Sequence, residues 1–121
     1  MSYSVLVCDD STVARKQVKR CLQASLDVNI CEAHHGAEAL ALLSEKQIDL
    51  VCLDLTMPIV DGIGVLEGIR EQKIECFVVV ISADIQTEMK AKVAALGVLD
   101  FIEKPVKTDT LLAVLHKFGI R

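Results

Sequence analysis

The strongest constraint on this chain is a set of three short, uninterrupted apolar runs: Val5–Cys8, Val51–Leu53 and Phe77–Ile81. A strand with one face in water alternates apolar and polar residues. A strand without alternation has both faces covered, and a parallel sheet clothed by helices on each side is the usual way to cover them. Val28–Ala33 is more mixed and suits an outer strand, and Val98–Ile102 reads as a short fifth. Between these runs apolar residues recur at helical spacing. Ala14, Val18, Cys21 and Leu22 share a face, as do Leu40 and Leu43, then Val65, Leu66 and Ile69, then Met89, Val93 and Leu96. Leu111, Leu115 and Phe118 form the last such face, behind Thr108 or Asp109 as an N-cap, and Gly36 and Gly97 punctuate the joins. The pattern predicts one domain over residues 1–121. Its class is α/β, a (βα)5 chain forming an open, doubly wound, five-stranded parallel sheet.

Composition narrows the role. The chain is 52% apolar but only 3% aromatic, so its core is built from Val, Leu, Ile and Ala. A net charge of −4 supplies no broad basic field, which argues against direct binding of nucleic acid or an anionic lipid surface. No apolar stretch approaches the ~20 residues of a membrane helix, and the first residues lack the basic region of a signal peptide, so the expectation is a cytoplasmic protein without membrane insertion. The five cysteines are odd in number and show no C-x-x-C spacing, which reads as reduced, small core residues.

In doubly wound sheets ligands sit at the carboxyl ends of the strands. The first strand there delivers Asp9 and Asp10, the third Asp54, the fourth Ser82 and the fifth Lys104. Each has an ordinary explanation alone: adjacent acids favour a helix N-terminus, a serine caps a turn, and a lysine is solvated surface. Together they place three carboxylates, one hydroxyl and one ammonium on one edge. Crowded carboxylates raise each other's pKa, and a hard divalent cation with oxygen ligands, Mg²⁺, relieves that conflict. A phosphoryl group would then bridge the metal, Lys104 and Ser82. One carboxylate would serve as nucleophile through an aspartyl phosphate, and Asp54, at the end of a central strand, is the better candidate. His34-His35 reads as a turn before the second helix, and Gly62 and Gly64 as loop and packing glycines.

The segments VLVCDDS (5–11), AHHGAEAL (33–40), DLVCLDLTMPIVDGIGVL (49–66), VVVISA (78–83) and LDFIEKP (99–105) resemble the receiver domain of bacterial two-component response regulators, above all the stand-alone chemotaxis type. The resemblance implies a flavodoxin-like sheet of order 2-1-3-4-5. It implies that Asp54 accepts phosphate from a histidine of a kinase or of a histidine phosphotransfer protein. Asp10 and Asp54 would ligate Mg²⁺ directly with the Thr56 backbone carbonyl, and Asp9 through water. Lys104 would pair with phosphoryl oxygens, Ser82 would move inward to them, and Phe101 would follow as the switch aromatic. The Lys104–Pro105 peptide would be cis, and Thr56 and Asp84 would tune the phosphate lifetime.

The resemblance further implies a signalling module rather than an enzyme, one that catalyses its own phosphorylation and dephosphorylation. A downstream protein would read the face formed by the fourth helix, fifth strand and fifth helix, with a phosphatase as a further partner. A phosphorelay intermediate, or the receiver part of a larger regulator, is the alternative. Ser82 stands where threonine is more frequent and Phe101 where tyrosine is common; neither removes a group the chemistry needs. An aspartyl-phosphate phosphatase would require an acid at position 56, and a flavin carrier would require hydroxyls and glycine in the first loop; this chain has Thr56 and Asp9-Asp10 instead.

Overall fold

A computed structural model describes residues 2–83 and 86–121. Strands and helices alternate strictly: β1 (Tyr3–Cys8), α1 (Thr12–Gln23), β2 (Val28–Ala33), α2 (Gly36–Glu45), β3 (Leu50–Leu53), α3 (Gly62–Glu71), β4 (Phe77–Ser82), α4 (Thr87–Ala95), β5 (Asp100–Glu103) and α5 (Thr108–Lys117). The five strands form one sheet of order β2-β1-β3-β4-β5 with every pairing parallel. This is the flavodoxin-like arrangement expected. The order reverses between β1 and β3, so the loops after those two strands open side by side.

Period-two alternation within the apolar runs divides the core into two layers. Val5 and Val7 of β1 face α1 and α5 with Val18, Leu22, Leu111 and Leu115. Leu6 and Cys8 face the opposite side with Ala39, Leu43, Val65, Leu66 and Val93 from α2, α3 and α4. β3 is buried along its whole length, whereas β1 and β4 are buried from Val5 and Val78 onward, toward their carboxyl ends. The cysteines among these residues are free thiols; burial pushes the Cys52 thiol up to about 12, which keeps it protonated and apolar. Among the described residues no helix is long and apolar enough to cross a membrane.

Three local expectations need correction. The fifth strand begins at Asp100 rather than Val98, because Gly97 turns with φ +89° and Leu99 docks its N–H on the Val78 carbonyl before the ladder starts. The N-cap position of α5 is Lys107, not Thr108 or Asp109. Thr108 already lies in the helix, and its hydroxyl donates to the Cys21 sulfur at 3.3 Å, tying α5 to α1. Phe118 falls at the end of α5 and is 40% exposed; the chain turns back at Gly119, and Ile120 takes the buried place.

Candidate functional site

The end of β1 is fixed by hydrogen bonds on every polar atom of Asp9. Its N–H donates to the Ala33 carbonyl (3.1 Å), and Oδ1 accepts from the Ser11 N–H (2.9 Å). Oδ2 pairs with Lys104 Nζ (2.7 Å), and its carbonyl accepts from Arg15 Nη1 (2.8 Å). Ser11 also caps α1 by accepting from the Ala14 N–H. The two acids therefore sit ahead of the cap rather than acting as it, and helix capping does not explain them. Asp9 is buried and Asp10 is exposed.

Asp54 follows β3 directly, with its N–H on the Cys8 carbonyl at 2.9 Å, which aligns the two strand ends. Its carboxylate is buried and accepts hydrogen bonds from the backbone N–H groups of Leu55 and Thr56. Burial, and then the Asp9 charge, hold its pKa above the ordinary carboxylate value, against Lys104 and those backbone donors. Lys104 Nζ lies 3.6 Å from Asp54 Oδ2, so one ammonium serves both buried acids. The loop beyond is closely packed. A Cβ on Gly62 would lie 2.5 Å from the Asp54 carbonyl oxygen, and one on Gly36 would lie 2.2 Å from the Val60 carbonyl oxygen. Gly62 is thus a packing glycine, as expected from the sequence. Ile59 in the same loop has φ +70° and is 77% exposed, a strained setting for a β-branched residue.

One oxygen from each of Asp9, Asp10 and Asp54 lies within 4.8 Å of the others. An all-oxygen donor set on a partly open edge suits a hard divalent cation that keeps some of its own water. Ser82 closes β4, is fully buried, and its carbonyl accepts from the Lys104 N–H at 3.0 Å. The Lys104–Pro105 peptide is cis. Thr56 is exposed beside the cluster. Phe101 is half-buried on β5, with Lys90 Nζ of α4 5.5 Å from its ring centroid. Asp84 lies outside the described residues. His34 and His35 do start α2: His35 Nδ1 accepts from the Glu38 N–H and His34 pairs with the Glu38 carboxylate.

Two features were not singled out from the sequence. Arg15 is buried beside the acids, although positions 15, 18 and 22 share the i, i+3, i+7 stripe of α1, where a charged residue is itself a signal. Cys8 lies 3.3 Å from the Met57 sulfur under the cluster, its thiol pushed up to about 12 by burial and by Asp9 and Asp54.

Residues 5–116 match the response regulator receiver domain family. The chain is 35% identical over 117 residues to the "Probable C4-dicarboxylate response regulator DctR" of Bacillus subtilis, covering 96% of this chain but only 52% of that protein. It is 32% identical over 117 residues to chemotaxis protein CheY of the same organism, covering 97% of this chain and 98% of CheY. Among solved structures, the CheX–CheY–BeF3–Mg+2 complex from Borrelia burgdorferi superposes with a TM-score of 0.90 at 30% identity, covering 98% of this chain and 90% of that one. The chain belongs to the response regulator receiver domain family.

Proposed function

We propose that residues 1–121 act as one phosphorylation switch with Asp54 as the phosphoacceptor. One observation carries this reading: three carboxylates converge within 4.8 Å, and Lys104 bridges the two buried ones. An Asp54 carboxylate oxygen attacks the phosphorus of a phosphohistidine on a kinase or histidine phosphotransfer protein. The O–P bond forms as the N–P bond breaks, and the electron pair leaves on the imidazole nitrogen. Asp10 and Asp54, with the Thr56 carbonyl, would hold Mg²⁺ directly and Asp9 through water. The cation supplies charge neutralisation for the incoming phosphoryl oxygens. That the Borrelia CheY was captured with beryllofluoride and magnesium supports this assignment for its relative here.

Lys104 exchanges its carboxylate partners for phosphoryl oxygens, and Ser82 donates to another of them. Because Lys104 and Ser82 belong to neighbouring strand ends, the new dianion draws on β4 and β5 together. Phe101, one strand residue before Ile102 and in contact with α4 through Lys90, carries that change to the α4–β5–α5 face, where a downstream protein reads it. Thr56 flanks the approach of water to the aspartyl phosphate and, with Asp84, sets its lifetime. The test is labelling by a small-molecule phosphodonor in magnesium. Wild type acquires acid-labile phosphate, and Asp54→Asn acquires none; persistent labelling of that variant overturns the assignment.

A further inference from the structure

Arg15 is the one cation enclosed in the body of α1, only 5% exposed. All three of its guanidinium nitrogens are engaged. Nη1 donates to the Asp9 carbonyl at 2.8 Å, Nε to Glu32 Oε1 at 3.0 Å and Nη2 to the Thr12 hydroxyl at 3.2 Å. The other Glu32 oxygen pairs with Lys19 at 3.2 Å. Burial opposes the Glu32 charge, but the hydrogen bonds from Arg15 and Lys19 outweigh it and hold the carboxyl below its ordinary range, so the anchor stays charged. The planar fork is thereby clamped between β2, the start of α1 and the end of β1.

The carbonyl that Arg15 grips belongs to the peptide joining Asp9 to Asp10. Among the described residues no hydrogen bond or ion pair holds the Asp10 carboxylate, so its direction comes from its own backbone. Asp9, by contrast, is held at both carboxylate oxygens. We infer that Arg15, anchored by Glu32, is a positioning residue for the cation site: by fixing the Asp9–Asp10 peptide it aims the Asp10 carboxylate at Asp54. This rests on the reading of the three acids as the magnesium site. Outer groups that orient ligands commonly change metal affinity by ~10–100-fold when removed.

The sign of the effect separates positioning from plain electrostatics. Removing a positive charge beside three carboxylates should, by charge alone, strengthen binding of a dication. Loss of orientation should weaken it. The experiment is a magnesium titration of the full chain, followed by amide NMR shifts of residues 9–11 and 54–56, with thermal unfolding measured separately without metal. Arg15→Met is expected to weaken magnesium binding about tenfold. Arg15→Lys keeps the charge but not the three-pronged fork, and is expected to weaken it by a smaller factor. Equal or tighter binding by Arg15→Met overturns the proposal, including the case where only its melting temperature falls. If Arg15→Met does not fold, Arg15→Lys decides in the same way, unchanged affinity overturning it. Absence of magnesium binding by wild type is a different result: it overturns the reading of the acids themselves.

Discussion

α1, which follows β1, and α4, which follows β4, pack on opposite faces of the sheet and are held very differently. α1 opens on the Ser11 cap, buries Arg15, Val18, Cys21 and Leu22, and is tied to α5 through Thr108 and Cys21. α4 opens on Gln86, a residue type outside the good N-cap set, and fully buries only Val93; Met89 and Leu96 pack partly. The cause lies in the sequence: TVARKQVKRCLQ carries a full apolar stripe, whereas TEMKAKVAA offers mostly small or charged side chains. The flank that grips the Asp9 carbonyl is therefore the well-anchored one, and the flank that touches Phe101 is the lightly anchored one. The switch proposed above would use that division: its acidic edge would hold its geometry while its α4 side shifts, since mobile elements are drawn from the less stable parts of a fold.

The contrast can be broken by matched truncations. Leu22→Ala should cost about 3 kcal/mol in urea unfolding, since a fully buried leucine leaves a cavity in the layer under α1. Val93→Ala should cost less, about 2 kcal/mol or under, because fewer atoms are lost and a sparsely packed helix can settle into the gap. A larger loss at Val93 than at Leu22 would reverse the comparison.

Between the flanks sits the cost of crowding charge. The Asp54 carboxyl titrates above its unfolded value of 3.8 because of burial and Asp9. Between the two values the folded chain holds the extra proton, so stability falls as pH rises through that window. In metal-free buffer Asp54→Asn should be more stable than wild type at neutral pH. The difference should shrink toward the acid end, as both forms become neutral at this position. A wild type that matches the variant across the whole range, in denaturant unfolding at several pH values, would show that the acids pack without electrostatic cost.

The smallest effect belongs to the loose flank. Lys90 over the Phe101 ring should contribute about 0.5–1 kcal/mol, as exposed cation–π pairs do. A double-mutant cycle of Lys90→Met with Phe101→Leu measures it, and zero coupling would remove this link between α4 and β5. Phe101 has no ring hydroxyl to anchor it, so this pair is a local restraint on the ring.

Much of this was legible before any coordinates. Unbroken apolar runs forced strands covered on both faces, helical stripes supplied the covering, and strand ends nominated Asp9, Asp10, Asp54, Ser82 and Lys104. Those inferences rest on local periodicity, which a single chain displays openly. What failed was finer. Thr108 looked like a cap but spends its hydroxyl on Cys21, a residue 87 positions away. Phe118 continued a helical stripe, yet the chain turned at Gly119 and gave the buried place to Ile120. Val98 looked like strand, but it leaves the turn at Gly97 and the ladder with β4 starts only at Asp100.

The residue types on the acidic edge were thus determined by sequence alone, because each follows directly from a strand whose character is local. Which of them are buried, which share the Lys104 ammonium, and which are held by Arg15 was decided only by tertiary structure. Those properties depend on β1, β2, β3 and β5 coming into register, and hydrogen bonds between residues far apart in the chain leave no periodic trace along it.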